Sequence, residues 1–301
     1  MSSTESLKVR VPGSSANLGP GFDVLGMAVS IYADMGIIDD HRTHSESQFA
    51  EGRHPANVAY RAAGGTTGVW VRSSIPSGRG LGFSGAMRVG AVALGLAERA
   101  GVIGGELDPF IDEQRNAILD LAAELEGHAD NVAASLNGGV VACIESDGHV
   151  TATAVPLASS LVRDFHIMVW VPHDQTATSE SRANLSASLS RTDAVFNLGR
   201  VVQLVLALGS NDPARIEVGV EDRLHQELRL DNVPLSRLAL QQMRGSGAAG
   251  CWLSGSGPTV AALVHVSKVD SVEEALRIAE LEDAGRLMRL AIDVVGLQAA
   301  R

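Results

Sequence analysis

The sequence places the chain in a mixed helix-and-strand class, and three stretches carry that reading. Residues 7–12 (LKVRVP) alternate in polarity, as a half-buried strand does. Residues 165–172 (FHIMVWVP) are an apolar run of strand length, the pattern of a fully buried strand. Residues 87–100, a run rich in Ala, Val, Leu and Gly, read as a buried helix. No βαβ alternation surrounds the glycine-rich stretch that precedes this helix.

Taken in order, residues 13–23 hold Gly, Ser, Asn and Pro and read as a loop. Residues 25–38 are apolar with Gly and Asp interruptions and read as a strand. Residues 39–55 are polar and carry His41, His44 and His54. No i, i+4 histidine pair or cysteine partner accompanies them, so a solvated loop is expected rather than a metal site. Residues 57–64 read as a short helix that Asn57 caps or from which Asn57 faces a nucleotide. Residues 109–125 repeat apolar side chains at three and four, giving an amphipathic helix. A strand at 138–143 follows, then a polar strand or hairpin at 148–156. Residues 157–163 read as a crossing into a second domain. Thr and Ser at 176–181 open a helix. Residues 194–208 and 235–244 read as helices, 247–264 as strand, turn and strand, 272–281 as a helix and 287–295 as a final strand.

The centre of the chain is residues 75–86, IPSGRGLGFSGA, between a strand at 69–71 and the buried helix. A glycine loop that opens a helix is a phosphate cradle, because unpaired N–H groups and the positive end of the helix dipole both favour an anion. Gly78, Gly80, Gly82 and Gly85 would remove side chains where those N–H groups face outward. Residues 80–85 also fit G-x-G-x-x-G, so a dinucleotide fold stays open, as does a plain glycine turn. No acidic residue ends a second strand at the distance that a dinucleotide fold requires. A Walker A loop needs a lysine after its glycines, and the two lysines, Lys8 and Lys268, lie elsewhere.

Composition narrows the classes further. Hydrophobic residues make up 45% and charged residues 20%, which describes a globular soluble protein. A net charge of −11 argues against nucleic acid or an anionic membrane as the main partner. An anionic substrate would need local arginines to offset that field. No stretch reaches the roughly 18 apolar residues of a membrane span, and residues 1–7 carry no apolar core of a signal peptide. Cys143 and Cys251 sit in apolar runs and read as buried free thiols of a cytoplasmic protein.

Several segments resemble the GHMP small-molecule kinases. Pro76-x-x-x-Gly80-Leu-Gly82-x-Ser84 is similar to the family's second motif, P-x-x-x-G-L-G-S-S-A, with Phe83 in place of the first Ser. Residues 11–23 (VPGSSANLGPGFD) are very similar to the first motif of the homoserine kinase branch. Other members carry Lys or Arg where this chain has Ser14. Residues 126–132 (EGHADNV) resemble that branch's E-G-H-P-D-N-V, and residues 222–229 resemble its D-R-x-H-Q-P-x-R, with Glu227 in place of Pro. Residues 247–264 resemble the third GHMP motif.

The resemblance implies an α+β fold of two domains: an ATP-binding one over 1–160, like the second domain of ribosomal protein S5, and a ferredoxin-like one over 161–301. It implies ATP and Mg²⁺ as cofactors, a small-molecule substrate, most simply L-homoserine, and possibly a homodimer. Nucleotide binding falls to Pro76, Gly78, Arg79, Gly80, Leu81, Gly82, Phe83, Ser84 and Gly85, with Asn57 near the base. Ser84 and Glu126 would hold Mg²⁺, a carboxylate being a sensible hard ligand. Asn17, Asp23, His128, Arg182 and Arg229 would bind the amino acid, with Arg223 the runner-up to Arg229. Asn131, Thr178 and Arg182 would serve the chemistry; Thr178 and Arg182 are one helical turn apart, on one face. In several sister kinases an Asp–Lys pair acts; here Asn131 stands nearest that position. Phe83 and Arg88, both unusual in the second motif, keep open a sister kinase of another hydroxylated substrate and a nucleotide-binding homologue that has lost catalysis.

Overall fold

A computed structural model describes residues 7–38, 47–173 and 188–300. Its first sheet holds β1 (Lys8–Ala16), β2 (Leu25–Ile37), β3 (Gln48–Phe49), β4 (Val69–Ser73), β5 (Val140–Ser146) and β6 (His149–Val155). The chain's last strand, β11 (Gln298–Ala299), returns to pair with β1. The strand order is β11-β1-β2-β4-β3, and β5 pairs with β2 and β6. β2 can serve three partners because its 13 residues present one edge to β1 and divide the other, residues 33–37 pairing with β4 and 25–27 with β5.

The second sheet is antiparallel, in the order β10-β7-β9-β8: β7 (Phe165–Pro172), β8 (Gly250–Leu253), β9 (Val260–His265) and β10 (Gly285–Leu290). In chain order the helices are α1 (Pro55–Ala62), α2 (Phe83–Ala100), α3 (Leu107–Glu126), α4 (Asp130–Asn137), α5 (Ser159–Asp164), α6 (Arg191–Ser210), α7 (Pro213–Gly219), α8 (Gln226–Leu230), α9 (Pro234–Gly245) and α10 (Val269–Ile278). α2 is buried almost throughout, as its run of small apolar residues demands, and packs on α1, α3, α4 and β1. A separate apolar cluster, with Met168, Trp170, Leu240, Met243, Val272 and Leu276, fills the space between the second sheet and α9 and α10. Each such fully buried side chain contributes about 1.5–3 kcal/mol.

Several sequence expectations need correction. The first strand does not stop at Pro12. Its register shifts between Pro12 and Gly13, and Gly13–Ala16 then pair with β2 again. A bulge of this kind hides a strand among turn formers. The buried helix starts at Phe83, four residues before the apolar run. Residues 130–137, between the expected helix and strand, form a short helix of their own. Asn57 does not cap α1: His54 does, its Nδ1 accepting from Ala56 N at 3.2 Å, because Pro55 occupies the first helical turn. α6 is long and apolar enough, by length and composition, to cross a membrane, although only 22% of its apolar window is buried. Its Leu204, Ala207 and Leu208 are buried, whereas Val195, Leu198, Val202 and Leu206 are exposed. Thr178 and Arg182, with His41 and His44, lie outside the described residues.

The two sheets meet where β1 ends. The Trp252 indole donates to Ser15 Oγ at 2.9 Å, and the Ser254 and Ser15 hydroxyls are 2.8 Å apart. All three residues are buried, so these bonds are shielded from water.

Candidate active site

The segment after β1 folds into a tight turn. Asn17, Leu18 and Asp23 have φ of 71°, 47° and 57°, a region that Asn and Asp tolerate better than most residues. The Asn17 side chain locks the turn: Oδ1 accepts from Asp23 N at 3.1 Å and Nδ2 donates to Gly255 O at 3.0 Å. Asn17 thus presents Asp23 to the cavity and joins the turn to the 254–258 loop.

His225 sits under the same turn, completely buried, and its Nε2 donates to Gly19 O at 2.8 Å. Its Nδ1 then accepts from Arg229 at 3.1 Å, and the same guanidinium nitrogen donates to Gly255 O at 3.1 Å. Burial drives the His225 pKa down, with the Asp222 charge opposing and the Arg229 charge assisting. That agrees with a neutral ring that donates on one side and accepts on the other. Arg229 is therefore held at the cavity. Arg223 points elsewhere: it lies over the Phe196 ring at 3.9 Å and pairs with Asp193 at 3.6 Å.

The glycine loop closes the opposite side. Gly78, Gly80 and Gly82 have φ of 67°, 77° and 68°, which glycine adopts without strain. Gly82 is the N-cap of α2 and leaves that terminus with no side-chain cap. A Cβ on Gly80 would lie 2.3 Å from Ser254 O, and one on Gly82 would lie 2.0 Å from Ser14 Oγ. The sequence reading is corrected here. Gly80 and Gly82 are glycines so that the loop can seat against the protein, whereas a Cβ on Gly85 would meet Asn131 Cβ at 3.2 Å, a tight contact that a small shift relieves.

At the floor, the Ser84 hydroxyl donates to Glu126 Oε2 at 2.8 Å. Arg88 bonds both Glu126 and Ser84. His128 Nδ1 donates to Asp130 Oδ1 at 2.7 Å, and its Nε2 stands 3.8 Å from Glu126 Oε1. Asn131 lies beside them in the first turn of α4.

Together these groups enclose a cavity of about 360 Å³. Asn17, Asp23, His128, Asn131, Arg229, Gly78, Arg79, Gly80, Gly82, Phe83, Ser84 and Glu126 line it. Leu81 is buried in the core instead, and Pro76 lines a separate groove beside β10. Asn57 faces outward and donates to Gly52 O at 2.9 Å.

Residues 50–139 match the description "GHMP kinases N terminal domain" and residues 204–283 match "GHMP kinases C terminal". The chain is 36% identical over 292 residues to the homoserine kinase of Desulfitobacterium hafniense, covering 90% of this chain and 91% of that protein. It is 39% identical over 284 residues to the homoserine kinase of Streptomyces coelicolor, covering 89% and 87%. The chain belongs to the GHMP kinase family. Its fold is that of the crystal structure of homoserine kinase from Cytophaga hutchinsonii, with a TM-score of 0.77 over 100% of this chain and 99% of that one at 24% identity.

ATP is the phosphoryl donor of GHMP kinases. A second cavity, of about 710 Å³, adjoins the first and shares His54, Ser77 and Phe83 with it. The two rings meet edge to face, with centroids 6.0 Å apart, at this boundary. Burial lowers the His54 pKa, consistent with an unprotonated Nδ1 that accepts from Ala56 N. Ser84 and Glu126 suit a small hard cation: a hydroxyl oxygen and a carboxylate oxygen lie together on the cavity that the nucleotide loop lines.

The sequence reading missed His54, Asp130 and His225 as parts of the site. Asp130 stood inside the EGHADNV segment that was singled out. His225 lies within the segment that points to Arg229, and His54 lies in a stretch whose polarity reads as a loop. For His54 the readable signal was Pro55, which marks the first turn of a helix and makes the preceding residue its cap.

Proposed function

We propose that this chain transfers the γ-phosphoryl group of ATP to the side-chain hydroxyl of L-homoserine, giving O-phospho-L-homoserine for threonine biosynthesis. One observation carries the reading. A single cavity brings an uncapped helix terminus with a glycine loop against an acidic, an amide and a guanidinium group suited to an amino acid.

In this reading the triphosphate lies along residues 78–84, at the positive end of α2. The nucleoside occupies the larger cavity, past His54 and Phe83. Glu126 and Ser84 hold Mg²⁺, which when bound neutralises phosphate charge. Asp23 takes the homoserine ammonium, and Arg229 takes its carboxylate with a forked guanidinium. Arg182 and Thr178 are assigned to the same substrate from the resemblance alone.

Phosphoryl transfer passes through a loose transition state, so positioning and charge neutralisation supply most of the rate. The chain's own groups serve those ends. Asn17 fixes Asp23, His225 aims Arg229, and Asp130 orients His128 so that its Nε2 faces the cavity. Asn131 supplies a neutral amide beside the transferred group.

The experiment is coupled ADP production with Mg²⁺-ATP and a panel of L-homoserine, L-threonine, L-serine, mevalonate and no acceptor. Turnover selective for homoserine is expected. Turnover with a different acceptor would keep the kinase and discard the substrate. The contact of Arg88 with Glu126 favours a second reading, a nucleotide-binding homologue with little catalysis; ATP binding with no turnover on any acceptor would select it.

A further inference from the structure

Arg88 lies one turn beyond Ser84 on α2, so both side chains leave the same helix face. Its guanidinium bonds the Glu126 carboxylate and the Ser84 hydroxyl, the two groups assigned to Mg²⁺. The Arg88 and Glu126 side chains are only 19% and 10% exposed, so solvent screens their attraction weakly. Ser84 and Glu126 line the cavity, and Arg88 does not. The guanidinium thus reaches the carboxylate from the protein side and leaves the cavity side open.

We propose that Arg88 is the resident counter-cation of the Glu126–Ser84 pair and sets the metal affinity of the nucleotide site by competing with Mg²⁺ for Glu126. The proposal rests on the reading of this cavity as the Mg²⁺-ATP site. A lone carboxylate offers a divalent ion a full negative charge, whereas this one is already neutralised. An arriving ion must displace the guanidinium or sit beside a fixed positive charge, and either lowers its affinity. Arginine cannot relieve the conflict by losing its proton. The polyphosphate restores the missing negative charge, so the metal enters with the nucleotide and the nucleotide-free protein holds it poorly. Ser84 marks where the competition is felt, because its hydroxyl is shared between the carboxylate and the guanidinium.

The test is titration of Mn²⁺, a paramagnetic stand-in for Mg²⁺, followed by electron paramagnetic resonance. The proteins are the wild type, R88M, R88Q, R88K and R88M/E126Q, each with and without a non-hydrolysable ATP analogue. R88M and R88Q are expected to bind Mn²⁺ at least tenfold more tightly than the wild type without nucleotide, and to need less Mn²⁺ for half-saturation with the analogue. R88K, which keeps the charge, should stay near the wild type, and R88M/E126Q should lose the gain. Folded R88M and R88Q with unchanged or weaker Mn²⁺ binding would overturn the proposal. So would weaker analogue binding at unchanged metal affinity, which would make Arg88 a phosphate ligand. If R88M does not fold, R88Q against R88K decides. Failure of every protein to bind the analogue would sink the nucleotide reading, while the nucleotide-free titration would still judge Arg88.

Discussion

The Ser14 hydroxyl donates to Asn131 Oδ1 at 2.8 Å, across 117 positions of sequence, with Ser14 fully buried and Asn131 nearly so. The bond ties β1 to the start of α4 and leaves the Asn131 amide with one orientation. By the resemblance, Ser14 stands where other GHMP kinases carry Lys or Arg, and Asn131 nearest the aspartate of the sister enzymes' Asp–Lys pair. In this chain a neutral hydroxyl–amide pair holds that corner of the site.

Asn131→Ala should therefore slow phosphoryl transfer without abolishing it. Loss of one positioned polar group at a transition state costs about 10²–10³ in kcat. We expect about a 100-fold fall with the far-ultraviolet spectrum unchanged. Ser14→Ala removes only the group that orients the amide, so kcat should drop about tenfold with KM for homoserine nearly constant. Asn131→Ala activity at background in a folded protein would mean that Asn131 does more than position the transferred group.

Gly80→Ala tests the seating of the nucleotide loop. The new Cβ would lie 2.3 Å from Ser254 O at a φ of +77°, and Ser254 Oγ donates to Gly80 O at 2.6 Å. Both loops must shift, at a cost of about 2 kcal/mol or more. Gly101 provides the control: its φ is +71°, but nothing lies within 4 Å of its Cβ position. Gly101→Ala should cost only the conformational strain, about 1 kcal/mol. Urea unfolding of both variants measures the difference, and equal losses would refute the close-approach argument.

What the sequence revealed follows from how far apart the cooperating residues stand. The glycine loop, the residues 17–23 turn and the EGHADNV segment each concentrate their chemistry within about a dozen positions, and all three line one cavity. Bonds between distant segments were invisible: Arg88 on Glu126, Ser14 on Asn131 and Trp252 on Ser15 depend on how α2, α3, α4 and the two sheets pack. The sequence pattern shows only the first half of β1, because the second half is built of turn formers that a bulge returns to the ladder. The glycines are legible as a phosphate loop, but the close approaches that require Gly80 and Gly82 are to Ser254 and Ser14, which only the fold brings near.

Glu98 gives the fold a pH-dependent tie. Its carboxylate accepts from Thr66 N at 2.9 Å and from the Thr66, Thr67 and Tyr60 hydroxyls, joining α2 to the approach of β4. Burial alone would raise its pKa; the hydrogen bonds from Thr67, Tyr60 and Thr66 outweigh it and bring the value from 4.5 to about 2. A depressed folded-state value means that the contribution is complete well above 4.5 and fades as pH falls from there toward 2. Glu98→Gln should therefore be less stable than the wild type at pH 7, with the gap narrowing steadily toward pH 3. Urea midpoints across that range check the sign, and a gap independent of pH would assign the effect to side-chain shape.

Phe83 is the departure from the family motif whose effect is most direct to measure. It opens α2 at the boundary of the two cavities and meets His54 edge to face, where a serine would leave the passage wide. An aromatic face beside a nucleoside site can stack on a base, a contact that contributes about 1–3 kcal/mol by alanine substitution in nucleic-acid sites. Phe83→Ala should weaken binding of the ATP analogue about tenfold and leave KM for homoserine within about twofold, because Asp23 and Arg229 lie across the smaller cavity. Phe83→Ser, which restores the motif, should behave like the alanine variant in binding. Tighter nucleotide binding in either variant would show that the ring obstructs the site, and fluorescence titration with a labelled ADP distinguishes the two outcomes directly.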